Sequence, residues 1–309
     1  MKWKKILPLI GILIFIYLVY KIGFSEIASN FKNIHYGYFV IAILLAFAIL
    51  FFQTFRWMLI LKEQKIYIPF RKAFKFYLIS VFYGLITPAK IGSLMRVPYM
   101  KEEVDNSWAE CASSIILERI FDLLILFSLA IIGTVVLSEY VGAFLPVLIL
   151  AIFAFIISCF ILLNKKLTRI FLKRFVYIII PARFKRRTQE VFDAFYNSLP
   201  RLRRLILPFL FTFFLWVMLY TQTYFVAKSF GVNVPWIIFL VVVPIVTLVT
   251  LLPISISGIG TREITFVYLF GFFGVAQGTV LTFSVVTFLL NAIVPIIVVL
   301  SSMRESLKK

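Results

Sequence analysis

Histidine occurs once and cysteine twice in 309 residues, which removes the usual ligands of a metal centre and the paired spacing of a disulfide framework. His35 precedes Tyr36 and Tyr38 at an apolar boundary, a loop or interface position rather than a catalytic one. Cys111 and Cys159 each sit inside an apolar block and read as small buried residues. Charge is also scarce. Only 15% of residues are charged, against about 25% in soluble domains, and no hydrophilic stretch is long enough to form a separate soluble domain. No phosphate-binding P-loop motif is present, so ATP hydrolysis would require a partner. Neither a metal nor a cofactor is expected.

What the chain does have is hydrophobic sequence, at 62% of residues. It reads as a polytopic membrane protein with one integral domain over 1–309. A formal charge of +19 would suggest nucleic acid in a soluble protein, but here the basic residues lie in tails and loops between apolar blocks, as membrane orientation requires. Nucleic acid is therefore not expected as a partner. The first block, 6–20, follows the charged start MKWKK but lacks a small-residue cleavage site, so it reads as an uncleaved helix.

Further apolar blocks run at 38–61, 76–86, 108–136, 141–163, 205–227, 236–252, 264–276 and 279–300. A spanning helix needs about 20 residues, so 76–86 and 264–276 are too short to cross. Lysine and arginine gather in the N-terminal tail, at 62–75, at 163–205 and in the C-terminal tail. These regions are expected in the cytoplasm, which places both termini inside, in the cell membrane. Tracing the path then makes 76–100 a hairpin that dips in from the cytoplasm and 236–276 one that dips in from the other face. The expected fold is all-α, with six full transmembrane helices and two re-entrant hairpins arranged as an inverted repeat, its halves at about 38–137 and 205–300. Apolar residues recur at helical spacing within the basic loop 163–205, so it is expected to lie on the anionic inner leaflet.

Both hairpins are interrupted by proline, glycine and arginine: TPAKIGSLMR at 87–96 and LPISISGIGTRE at 252–263. In lipid, broken backbone survives only where protein or a wet cavity surrounds it. In each segment a proline (Pro88, Pro253) precedes glycine (Gly92, Gly258) and then arginine (Arg96, Arg262) at similar spacing. Thr87 and Pro88 have the form of a helix start, and Lys90 in the first turn makes a phosphate site there, unless Lys90 and Arg96 only snorkel to headgroups. Ser255, Ser257, Gly258 and Gly260 suggest unwound backbone, with Thr261 capping a helix that begins at Arg262 and Glu263.

Glu118, Arg119 and Asp122 lie roughly 15 to 20 Å into the block 108–136, at 1.5 Å per residue. They form either a buried ion pair that fixes packing or a site with one carboxylate free for a cation or proton. Arg56, next to Trp57 near the cytoplasmic end of its helix, reads as an interface anchor. The acidic run Glu102, Glu103, Asp105 and Glu110 surrounds a helix start, where Asp105 to Ser107 offers a cap.

The residues Arg56-Trp57, TPAKIGSLMR, ERIFDL at 118–123 and PISISGIGTRE, in this order, resemble the flippase-like integral membrane family that includes the transmembrane domain of lysylphosphatidylglycerol synthase. In the larger synthases, the resemblance implies, the membrane part moves an aminoacylated lipid and a separate cytosolic domain makes it. Ending at Lys309, this chain is not expected to synthesise that lipid. Where the family often carries a glutamate, this chain has Ser93, so a neutral or anionic lipid such as a polyprenyl phosphate sugar comes into question. Three functions fit: a translocator of a phospholipid or polyprenyl-phosphate-linked lipid, a membrane transferase acting on a lipid-linked substrate, or a non-catalytic partner of a lipid-modifying enzyme. The candidate binding residues are Lys90, Ser93, Arg96, Glu118, Arg119, Asp122, Ser257, Arg262 and Glu263, with Pro88, Gly92, Pro253, Gly258 and Gly260 shaping the backbone.

Overall fold

The computed structural model describes residues 14–21, 29–104, 107–171, 190, 192–252, 255 and 257–306. Most of the first apolar block, Pro253 and the middle of the basic loop fall outside these. Among the described residues the regular structure is helical throughout.

Helix α1 (Tyr36–Glu63) is followed by α2 (Phe70–Ile86), a 3-10 segment Pro88–Met95 and the short α3 (Arg96–Lys101). Then come α4 (Trp108–Val136), a helical corner at Ser138–Val141, α5 (Leu145–Leu163) and α6 (Lys165–Phe171). The second half holds α7 (Ile206–Ser229), α8 (Trp236–Leu251), α9 (Thr261–Gly271) and α10 (Gln277–Ser306). Among the described residues, three stretches are long and apolar enough to cross a membrane, at Tyr36–Glu63, Arg203–Ser229 and Gln277–Ser301. Helix α4, with 29 residues, is about 43 Å long at 1.5 Å per residue. It exceeds the hydrocarbon thickness of about 30 Å but carries Glu118, Arg119 and Asp122 in its interior.

Local chemistry sets the helix ends. Ser107 accepts the Glu110 backbone N–H at 3.2 Å, and the Glu110 carboxylate accepts the Ser107 N–H at 2.8 Å, a reciprocal capping box that starts α4. Helix α2 stops before Pro88, which cannot donate to the helical ladder. The turn beyond is closed by Thr87, whose hydroxyl donates to the Tyr83 carbonyl and accepts the Gly92 N–H, both at 2.8 Å. Gly92 is confined: a Cβ there would lie 2.2 Å from the Tyr83 carbonyl oxygen.

The exterior is apolar. Leu44, Phe47, Val147, Leu150, Phe160, Leu210 and Ile297 are all exposed, the inverse of a soluble surface and the pattern of a lipid-facing belt. Within such a belt helices gain little by hiding apolar surface from one another, so close packing and polar contacts hold them. Phe239, Phe270 and Phe283 form one packed cluster, with centroids 4.8 Å apart for Phe239–Phe270 and 5.3 Å for Phe270–Phe283. Helix α1 packs along α7, α2 against α10, and α4 against α8. The α4–α8 crossing is tight because Gly133 lacks a side chain; a Cβ there would meet the Val241 carbonyl oxygen at 2.3 Å. In the described part of the basic loop, Asp193 meets Lys165 at 2.8 Å and Arg169 at 3.0 Å. The hydrogen bond from Lys165 leads the effects that hold this carboxyl below its usual range.

Candidate functional site

Glu118, from the middle of α4, is the centre of a buried ionic cluster. One carboxylate oxygen accepts from Arg56 of α1 and, at 3.1 Å, from the Tyr77 hydroxyl of α2, while the other accepts from Arg96 at the start of α3. Asp122, one helical turn further on, accepts from Arg56 at 2.6 Å. Arg56 also donates to the Thr212 hydroxyl of α7 at 3.3 Å. The Arg96 guanidinium lies 4.5 Å over the Trp57 ring and 5.1 Å over Tyr77, a cation–π cradle that offsets part of its desolvation. Two guanidinium groups therefore face two carboxylates, and the cluster is electrically balanced.

The second broken segment carries its own node. Ser257, Gly258 and Gly260 have φ of 53, 74 and 82°, the left-handed region that glycine adopts at least cost. Gly258 is doubly constrained, since a Cβ would lie 2.6 Å from the Thr250 side chain. Glu263 caps α9 by accepting the Gly260 N–H at 2.7 Å, and its other oxygen accepts from Arg262 Nε at 2.9 Å and from the Ser284 hydroxyl at 3.2 Å. Arg262 stacks 4.7 Å from the Phe288 ring centroid. Ser255 and Thr261 share a hydroxyl hydrogen bond at 2.9 Å. The Ser257 hydroxyl donates to the Leu85 carbonyl at the end of α2, so the two broken segments touch.

Both nodes open on one cavity of about 340 Å³, at the lower end of the roughly 300 to 1,000 Å³ usual for ligand sites. Arg56, Tyr77, Arg96, Glu118, Arg119, Asp122, Ser257 and Arg262 line it, together with Trp216, Tyr220, Ser284 and Asn291 from α7 and α10. Its walls come from the ends of α2 and α8 and the middles of α1, α4, α7 and α10.

Of the candidate residues read from sequence, Arg96, Glu118, Arg119, Asp122, Ser257 and Arg262 meet at this cavity. Glu263 is fully buried behind Arg262. Ser93 is buried apart from the lining, its carbonyl accepting from Ser80 at 3.0 Å. Pro88 and Lys90 lie in the 3-10 segment, with side chains outside the described set, as is Pro253. Two expectations need correction. Thr261 does not cap α9: it is the first helical residue, Gly260 holds the cap position and the Glu263 carboxylate makes the bond. Arg56 is not an interface anchor, being 2% exposed with both carboxylates of α4 as partners. Sequence reasoning also passed over Tyr77, Trp216 and Tyr220, which resemble the aromatic residues of a membrane interface and sit instead at mid-bundle.

Comparison with known proteins adds family evidence. The family described as the lysylphosphatidylglycerol synthase TM region matches residues 6–298. A UPF0104 membrane protein of Methanothermobacter thermautotrophicus is 23% identical over 298 residues, covering 89% of this chain and 88% of the relative. A UPF0104 membrane protein of Pyrococcus horikoshii is 23% identical over 317 residues, covering 94% of each.

Proposed function

This chain belongs to the family of the lysylphosphatidylglycerol synthase TM region, and from that premise we propose that it is a lipid translocase, moving a phospholipid or polyprenyl-phosphate-linked lipid across the cell membrane through its central cavity. It is a multi-pass membrane protein with an apolar exterior. The observation that carries the reading is the meeting of two broken helical segments, each with its own arginine, at one cavity that carries charged side chains inside an otherwise apolar bundle. A charged residue at a helix centre costs about 2.5 to 3.5 kcal/mol on insertion scales, a cost that supports a role for these charges beyond packing.

On this reading the chain is one membrane domain with six spanning helices, and the broken segments are re-entrant hairpins of two inverted halves. The contact pattern supports it. Helix α2 packs on α10 while α8 packs on α4, and α1 packs on α7. A two-fold axis in the membrane plane would exchange those pairs. Both termini and the basic loop face the cytoplasm in this arrangement, the loop resting on the anionic leaflet. Glu118 and Glu263 give the transferase alternative no support: a catalytic carboxylate needs a free oxygen near the substrate, and both oxygens of each are engaged.

The test is reconstitution of the purified protein in vesicles carrying a fluorescent phospholipid in one leaflet, with dithionite quenching to count the lipid that changes side. Accelerated exchange over protein-free vesicles is expected. Exchange no faster than in empty vesicles, with protein shown to be folded and inserted, refutes the proposal.

A further inference from the structure

The charges at the cavity differ in how far they are already committed, and that difference selects a ligand. Every carboxylate at the cavity or just behind its lining already has a cation. Glu118 holds Arg56, Tyr77 and Arg96, Asp122 holds Arg56, and Glu263 holds Arg262, Ser284 and the Gly260 amide. None of these carboxylates is left without a cation to attract an ammonium group. Donors are left over. The Tyr220 hydroxyl and the Trp216 indole N–H are buried with no hydrogen-bond partner among the described residues, and both side chains line the cavity. They are neighbours on α7, with ring centroids 5.6 Å apart.

Arg119 completes the set. It lines the same cavity, its side chain is 37% exposed, and its nearest carboxylate oxygen, on Asp122, is 3.9 Å away, beyond hydrogen-bond length. Asp122 is already neutralised by Arg56 at 2.6 Å. Among the described lining residues, four guanidinium groups face two carboxylates. Arg262 is balanced by Glu263 from behind, so the surplus positive charge resides on Arg119.

We infer that the cavity binds an anionic phosphate headgroup that carries no ammonium group, with Arg119 as its principal contact and the Tyr220 hydroxyl and Trp216 N–H as further donors. The inference rests on the translocase reading for its lipid source. The chemistry is that of a guanidinium fork matched to phosphate oxygens, in a space that fits a small headgroup. The acyl chains stay in the apolar surroundings. A buried donor without a partner is costly, so Tyr220 and Trp216 favour a ligand rich in acceptors.

The test uses the purified full chain in nonionic detergent. It is titrated with dihexanoylphosphatidylglycerol, dihexanoylphosphatidylcholine, the cationic dihexanoyl ethylphosphocholine and inorganic phosphate, and binding is read from ligand-dependent thermal stabilisation. Phosphatidylglycerol is expected to bind best, and Arg119→Gln to weaken it roughly 10- to 100-fold, the range for a lost charged hydrogen bond. Arg119→Lys should restore part of that loss, and Tyr220→Phe should weaken binding less than Arg119→Gln. Equal or tighter binding of either choline lipid overturns the inference, as does unchanged affinity in a folded Arg119→Gln variant. Inorganic phosphate that binds as tightly as the lipid overturns the lipid source. The vesicle assay separates this result from the broader reading. Selective binding without lipid exchange refutes translocation and leaves the anion site standing, whereas equally fast exchange of phosphatidylcholine refutes the anion selectivity and leaves translocation standing.

Discussion

Glu118→Gln is the sharpest perturbation of the ionic cluster, because it removes one charge and almost no volume. Arg56 keeps Asp122 at 2.6 Å and Thr212 at 3.3 Å. Arg96 loses its carboxylate and retains only the Trp57 and Tyr77 faces. Stranding one partner of a buried ion pair costs about 3 to 5 kcal/mol. A cation–π contact is worth about 0.5 to 2 kcal/mol and still holds Arg96, so a loss of about 2 to 4 kcal/mol is expected. The assay is reversible unfolding in mixed micelles followed by tryptophan fluorescence, to which Trp57, fully buried beside Arg96, contributes. The control is the double variant Glu118→Gln with Arg96→Met, which restores charge parity by leaving Arg56 and Asp122 as a neutral pair. It should be more stable than the sum of the two single changes implies, by at least about 1 kcal/mol. A Glu118→Gln protein within about 0.5 kcal/mol of the parent, the usual reach of a surface change, would refute the view that this carboxylate balances two buried cations. So would strict additivity in the double variant.

Other outcomes follow from the same geometry. Gly92→Ala places a methyl against the Tyr83 carbonyl and should destabilise by about 1 to 3 kcal/mol, whereas Gly37→Ala, which meets nothing within 4 Å, should not; thermal unfolding of the two distinguishes them. Arg262→Gln leaves Glu263 fully buried without its cation, so unfolding should come earlier, and adding Glu263→Gln should recover part of the loss. For orientation, single cysteines are introduced on a background without Cys111 and Cys159. A cysteine at Asn233 should react with an impermeant maleimide from outside intact cells, and one at Glu102 only after permeabilisation; the reverse pattern would overturn the proposed topology.

The helical character and both helix breaks were legible in the sequence, because proline, glycine and hydroxyl residues act on backbone within a few positions of themselves. The Ser107 cap was legible for the same reason. Glu118 and Asp122 stood out as charges too deep in an apolar block to be solvated. Arg56 did not, although it has the same two carboxylates as partners, since its sequence neighbourhood is that of an ordinary membrane-boundary arginine. What distinguishes it is packing against residues 62 and 156 positions away. Trp216 and Tyr220 escaped for a related reason: a tyrosine or tryptophan carries no local mark of whether its polar atom meets headgroups or a cavity. The apparent pairing of Arg119 with Asp122, read from their i, i+3 spacing, is correct as adjacency. The tighter bond goes to an arginine on another helix.

The contact between Ser257 and the Leu85 carbonyl joins residues 172 positions apart, and it bears on how the chain is made. When α2 leaves the ribosome, the serine that bonds to its last turn has not been synthesised. The first half of the molecule therefore inserts with a backbone acceptor that its own helices leave to a later part of the chain. Biogenesis ends only when the second half arrives beside it, so a product truncated after α6 should be a substrate for membrane quality control rather than a stable half-protein.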